Sequence, residues 1–203
     1  MIPKTMVAQE KDDQGMTPLL RFGEAENAQW QIVNDGVMGG LSRGQLRSTG
    51  ASYSVFEGVV SLANNGGFTS IVARTSPLDL SAFSGMRISA TGCTPEFAEA
   101  LEDDAYNAPK TYALRFKIAT NRGTSRFSYE TRFTVPAPQN GSEMQHFDIP
   151  LRSEAFTPVF RGRELRDVPG LDVERMGITE IGFMISDKQN GAFCLALGGV
   201  ALY

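Results

Sequence analysis

Along most of this chain apolar and polar residues alternate with a period of two. In "YALRFKIAT" Tyr112, Leu114, Phe116 and Ile118 fall on one side, and Arg115 and Lys117 on the other. "RFSYETRFTV" repeats the pattern: Phe127, Tyr129, Thr131, Phe133 and Val135 oppose Arg126, Ser128, Glu130 and Arg132. "FTSIVAR" (Phe68–Arg74), "MRISA" (Met86–Ala90), "EMQHFDIPL", "EIGFMIS" and "AFCLALGGVAL" read as further strands. A period of two with one polar face is the signature of antiparallel sheet. "NRGT" (Asn121–Thr124) sits between two such runs as a hairpin turn, and "DKQNGA" marks a second, with Asn190-Gly191 at its tip. At least eight strands without a βαβ rhythm or an internal repeat predict an all-β fold, a sandwich or jelly roll. Residues 1–17 read as a mobile polar lead-in, and residues 18–203 as one β-sandwich domain.

Three segments break the alternation. "TPEFAEALEDDAYNAP" (Thr94–Pro109) offers Thr94 as N-cap, Pro95 at the first helical position, and Phe97 and Leu101 four apart. This predicts a short acidic surface helix near 94–105 between two strands, either a solvated connection or a partner-docking element. "NDGVMGG" (Asn34–Gly40) and "ANNGGFTS" (Ala63–Ser70) are loops of another kind, rich in Asn and Gly and each next to a strand. The first is no P-loop, because no Lys-Ser/Thr follows its glycines. It is no dinucleotide fingerprint either, because no helix or βαβ context follows. The glycines permit positive φ and close backbone approach, and Asn34 and Asp35 can turn their side chains onto nearby N–H groups. Meeting at one end of a sandwich, the loops would serve as rigid turns or as a ligand or partner site. The residues concerned are Asn34, Asp35, Met38, Gly39, Gly40, Ser42, Asn65, Gly66, Gly67 and Phe68.

The 203 residues are 41% hydrophobic, enough for one sizeable core, and the net charge of -4 argues against a general nucleic-acid binder. Against that acidic balance, Lys110 to Arg132 holds six basic residues and the single acid Glu130. Alternation places Arg115, Lys117, Arg126 and Arg132 on one sheet face, suited to steering an acidic partner. No stretch approaches the roughly 20 apolar residues of a membrane span. The N-terminal residues lack the apolar core of a secretory signal and carry acids unlike an intact transit peptide; a presequence removed beforehand remains compatible.

Catalytic and metal chemistry find little support. There is no Gly-x-Ser-x-Gly elbow. The pair Asp103-Asp104 lacks apolar flanks that would raise a pKa. His146, the one histidine, alternates onto the outer face beside Asp148, which leaves no buried base. Cys93 and Cys194 match no zinc or redox spacing and read as reduced, half-buried small residues, with an inter-strand disulfide as the alternative. No cofactor is expected. A structural calcium on oxygen ligands is compatible with a jelly roll, but no full ligand set can be assembled from the sequence.

"WQIVNDGVMGGLS", "FEGVVSLANNGGFTSIVAR", "FTPVFRGREL" and "ITEIGFMISDKQNGAFCLALGGVAL", in that order, resemble the complex I intermediate-associated protein family, first known for a thirty-kilodalton assembly factor. The resemblance runs from about Leu19 to Leu202. Its most specific block is carried by Trp30, Asn34, Asp35, Val37, Met38, Gly39, Gly40 and Ser42. Asn65–Phe68 and the ending with Ile181, Gly182, Phe183, Gly191 and Phe193 support it. The resemblance implies a galactose-binding-like jelly roll similar to carbohydrate-binding modules, without catalysis. It also implies a chaperone-like role. Mitochondrial members act in assembly of respiratory complex I, and plastid relatives are linked to photosystem II biogenesis. The expected partners are therefore protein subunits of a membrane energy-converting complex. The expected place is the cytoplasm or an organelle matrix or stroma, peripheral to that membrane. A carbohydrate-binding module is the rival reading, with Tyr53, Tyr106 and Tyr112 as candidate stacking platforms and Trp30 read as core.

Overall fold

The computed structural model describes residues 4–7, 10–101, 104–139, 141 and 143–203, with Val37 and Met38 described by their backbone alone. Its strands are β1 (Thr5–Met6), β2 (Thr17–Arg21), β3 (Trp30–Asn34), β4 (Arg43–Ser48), β5 (Ser54–Val60), β6 (Thr69–Asp79), β7 (Gly85–Gly92), β8 (Lys110–Thr120), β9 (Gly123–Thr124), β10 (Ser128–Val135), β11 (Gln145–Pro150), β12 (Thr157–Phe160), β13 (Arg163–Glu164), β14 (Ile178–Ile185) and β15 (Gly191–Leu202). They form two sheets. The first runs β1-β6-β14-β8-β10-β12-β13, with β3 also on β6 and β9 on β8. The second runs β11-β7-β15-β5-β4, with β2 also on β15. Among the described residues the helical elements are single 3-10 turns, so the chain is an all-β jelly-roll sandwich, as the alternation predicts.

Burial follows the pleat. Leu114 and Phe116 of β8, Phe183 of β14 and Ile71 of β6 turn inward and are fully covered. They meet Phe56, Ile88, Phe193 and Leu195 of the other sheet in one core cluster. Rings carry that contact across the layers. Phe193 of β15 meets Tyr112 of β8 edge-on at 6.5 Å, and Phe22 stacks on Trp30 at 5.1 Å. Each such pair adds about 0.5–1.5 kcal/mol beyond area burial. Trp30 is thus core-packed, and Tyr112 is buried, which removes it as a stacking platform.

Several details differ from the pattern read in the sequence. The Thr94–Pro109 insert forms two short turns, Ala98–Ala100 and Ala105–Asn107, in place of a regular helix. The N–H of Glu96 is taken by the carboxylate of Glu57, not by a Thr94 cap. With Phe97 and Leu101 as its only apolar pair, the insert has no stripe to hold so short a helix together. Asp103 lies outside the described residues. The turn expected at Asn190-Gly191 falls instead at Asp187 and Lys188, with φ of 64° and 59°. It is not a β-hairpin: β14 and β15 belong to different sheets, so the turn passes the chain from one layer to the other. The Asn121–Arg122 turn, by contrast, does close a hairpin between β8 and β9. The polar lead-in contributes β1, which pairs in parallel with β6 and is tethered by a 2.9 Å ion pair from Lys4 to Asp79.

Cys93 and Cys194 are joined as a disulfide, where reduced residues were the first expectation. The register explains it. Gly92 of β7 lies opposite Leu195 of β15, which leaves the two cysteines with Cα atoms 5.1 Å apart. Their separation of 101 residues conceals this pairing in the sequence.

Candidate functional site

The two Asn-and-Gly loops meet at one end of the sandwich, and Asp35 is the reason. β3 runs into a 3-10 turn over Asp35–Met38, which Gly39 closes in the left-handed region at φ 86°. The turn carries the Asp35 side chain inward, where it has no solvent exposure. There Oδ1 accepts the Ser42 N–H at 2.9 Å. Oδ2 accepts the Ser42 hydroxyl, the Gly67 N–H at 2.6 Å and the Phe68 N–H at 3.2 Å. Ser42 Oγ accepts the Ser61 N–H at 3.0 Å. Asn34 acts likewise one residue earlier, its Oδ1 accepting from Gly44 N–H at 3.2 Å and from the Thr69 hydroxyl.

The glycines are required by this close approach. A Cβ on Gly40 would stand 2.3 Å from the Asp35 carboxyl carbon, and one on Gly66 would stand 2.6 Å from Oδ2. In the second loop Asn64 and Asn65 both hold positive φ, at 56° and 58°, a conformation Asn tolerates better than most residues. Burial raises the Asp35 pKa. The Ser42 hydroxyl and the Gly67, Phe68 and Ser42 N–H groups outweigh it, and the carboxyl titrates below its ordinary value. Four donors facing one carboxylate make a filled anion hole, which is the wrong polarity for a cation. Among the described residues no three His, Cys, Asp or Glu side chains gather as metal ligands.

Asp35 and Ser42 are therefore buried joints, and Asn34 is half-buried. Gly39 and Asn65 are exposed, while Gly40, Gly66, Gly67 and Phe68 are half-buried around the lock. The Met38 side chain lies outside the described residues. Two residues that the sequence reading passed over stand out beside them. Leu41 is 58% exposed and Leu62 is 41% exposed. They flank the Ser42–Ser61 bond, so the lock that fixes the loops also fixes both leucines on the surface. The signal was present in "GGLS" and "SLANN": an apolar residue directly beside a polar turn, with no alternation to carry it inward. The Asp187–Lys188 turn borders the same end, since Asn190 Oδ1 accepts the Leu62 N–H at 3.3 Å.

The expected basic face is laced with acids. Arg115 Nε lies 2.9 Å from Glu130 Oε1, and Lys117 Nζ lies 2.8 Å from Glu180 Oε1. Arg132 pairs with Asp187 and lies 4.0 Å from Glu130. Arg126 is exposed in the bend before β10, outside the strand that carries Arg132. Glu180 was legible: Ile181, Phe183 and Ile185 turn inward, which sets Glu180 among the outward residues. Neutralised in this way, the face retains only a weak positive field.

On the far sheet His146 and Asp148 are exposed, as alternation places them. Ser89 Oγ and His146 Nδ1 are 3.1 Å apart, and Arg87 holds Asp148 in two hydrogen bonds of 2.7 and 2.9 Å. Arg87 keeps the Asp148 carboxyl below its ordinary pKa. Among the described residues no helix is long and apolar enough to cross a membrane.

Comparison with known proteins agrees with the fold. Family 11 carbohydrate-binding module of the Clostridium thermocellum cellulase Lic26A-Cel5E superposes with a TM-score of 0.61 at 12% identity, covering 93% of this chain and 94% of that one. The Clostridium thermocellum module in complex with a beta-1,3-1,4-mixed-linked tetrasaccharide gives 0.59 at 12% identity, covering 90% and 94%. A non-crystalline-cellulose-specific module, CBM28, gives 0.50 at 11%, covering 99% of both chains. At such identities the likeness shows the fold alone. No curated protein matches the chain. The sequence profile of the family described as complex I intermediate-associated protein 30 (CIA30) matches residues 20–197, a span that holds both glycine loops, the Asp35 lock and the inter-sheet turn, and the chain belongs to that family.

Proposed function

We propose that this protein is a non-catalytic protein-binding module that assists assembly of, or stays attached to, a membrane energy-converting complex of the respiratory complex I or photosystem type. The observation that carries the reading is the family match over residues 20–197, whose signature block builds a pre-organised end of the sandwich. Rigid loops bind without a large ordering cost. Leu41 and Leu62 supply apolar contact, and the exposed backbone around Gly39 and Asn65 supplies hydrogen-bonding groups to an immature subunit. Arg126 and Arg132 of the neighbouring sheet face add a modest attraction for acidic surfaces. The protein acts peripherally to the membrane, from the cytoplasm or an organelle matrix or stroma.

The test is affinity capture of the tagged protein from gently solubilised native membranes, with mass spectrometry. The expected result is enrichment of subunits of one respiratory or photosynthetic complex, lost in Leu41→Asp/Leu62→Asp while thermal unfolding stays within a few degrees of wild type. No partner above the untagged control would overturn the reading. Carbohydrate binding is the second reading, favoured by the structural neighbour in complex with a beta-1,3-1,4-mixed-linked tetrasaccharide. Half-buried Tyr53 and Tyr106 are its remaining platforms, and a glycan array tests it directly.

A further inference from the structure

The outer face of the β5–β15 sheet is not open. Residues 93–101 and 104–109 lie over it as a strap. Glu57 of β5 belongs to that face, yet it has no solvent exposure. Its Oε1 accepts from Gln45 Nε2 at 3.0 Å and from Arg47 Nε at 3.3 Å, and its Oε2 accepts the strap's Glu96 N–H at 3.0 Å. Arg47 Nε also lies 3.0 Å from the Glu96 carboxylate. Further along, the Ala105–Asn107 turn packs on β15. The disulfide fastens the strap at its first residue. Its two sulfurs differ in access. Cys93 is half-buried and lines a cavity of about 360 Å³ with Tyr53, Thr91, Asn107 and Met144. Cys194 is only 4% exposed, and its Sγ lies 3.9 Å from Glu57 Oε2.

We propose that the Cys93–Cys194 disulfide is a redox modification site for a dithiol protein of the thioredoxin class, and that its reduction lifts the strap from Glu57 and opens this sheet face. The electrons and protons balance. A thiolate of the reductant attacks Cys93 Sγ through the cavity, the Cys93–Cys194 bond breaks, and Cys194 leaves as a thiolate. The Cys194 thiolate then takes up a proton. The reductant's second thiol then attacks its own sulfur in the mixed disulfide and releases Cys93 as a thiol. One disulfide here becomes two thiols, while the reductant's dithiol becomes a disulfide and supplies two electrons and two protons. With the covalent tie gone, the near end of the strap is held by the Glu96 N–H bond, the burial of Pro95, the already solvent-exposed Arg47–Glu96 pair and the 3.2 Å bond from the Cys93 N–H to the Cys194 carbonyl. The Glu96 N–H bond becomes open to water from the freed side.

The experiment uses the oxidised full chain under native conditions with a thioredoxin and its reductase. Both thiols should become alkylatable. A thioredoxin lacking its resolving cysteine should be trapped on Cys93 and not on Cys194. Amide exchange over residues 94–101 and 104–108 should accelerate at least tenfold, while β8 and β14 keep their protection. The Cys93→Ser/Cys194→Ser variant should show the same local acceleration. Three outcomes would overturn the proposal: no reduction without denaturant, trapping on Cys194, or reduction that strips protection from both sheets together. The last would mark a purely structural staple. Should the double variant fail to fold, the exchange pattern of reduced wild type still decides.

Discussion

Replacing Asp35 by Asn tests the core of the structural reading. The substitution keeps the shape and removes only charge and one acceptor. Asp35 has no exposure, and its oxygens meet four donors from Ser42, Gly67 and Phe68. The amide oxygen of Asn can face the three donors now gathered at Oδ2. Its NH2 then opposes the Ser42 N–H, donor against donor. Three charge-assisted bonds become neutral, at about 1 kcal/mol each, and one buried N–H is stranded, at about 1–3 kcal/mol. The expected loss is about 4–6 kcal/mol, a large share of the roughly 5–15 kcal/mol that holds a domain folded. Urea unfolding at pH 7, extrapolated linearly to water, measures it. A loss below about 0.5 kcal/mol would refute the idea that this carboxylate locks the two loops. Acid gives an independent check. The folded-state pKa of Asp35 lies below its ordinary value, so its stabilisation is present above the unfolded pKa of 3.8 and is lost as pH falls through the folded value. The Asn variant should lose that part of the acid dependence.

Other consequences follow from neighbouring geometry. Gly40→Ala and Gly66→Ala should each cost about 1–3 kcal/mol by driving a methyl into the Asp35 carboxylate, read as a fall in Tm. Gly36→Ala, with open space around its Cβ, should leave Tm nearly unchanged and serves as the control. Asp79, hydrogen-bonded first by Lys4 and then by Ser81, has its pKa lowered from 3.8 to about 2. Its contribution is present above pH 3.8 and vanishes as pH falls towards 2, so Asp79→Asn should flatten the acid unfolding curve in that window. Glu57→Gln should destabilise by about 1–3 kcal/mol and speed amide exchange at Glu96, because a neutral amide holds Arg47 and the strap less tightly. Exchange mass spectrometry of the strap peptide checks this.

The alternation of "YALRFKIAT" and "RFSYETRFTV" was sufficient to predict antiparallel strands and their inward residues, because a residue's face in a pleated strand depends only on its parity. The same parity put His146 and Asp148 outside, and the block from Trp30 to Ser42 pointed to the family. Sequence separation hides the rest. Asp35 finds Gly67 and Phe68 because β3 and β6 pair, so the purpose of the two glycine loops appears only when both are in place. The disulfide depends on a register between β7 and β15, and the inter-sheet turn after β14 looks locally like any hairpin. Glu130, the partner of Arg115, was visible in the same stretch, but the acids that pair with Lys117 and Arg132, Glu180 and Asp187, come from a strand and turn far along the chain. The insert's end was likewise decided elsewhere: Glu57 on another strand takes the N–H that a helix cap would have taken. Local pattern determined which residues form strands and which face each one buries. Only the packed tertiary structure decided which distant side chains become partners, because burial makes every polar group find one.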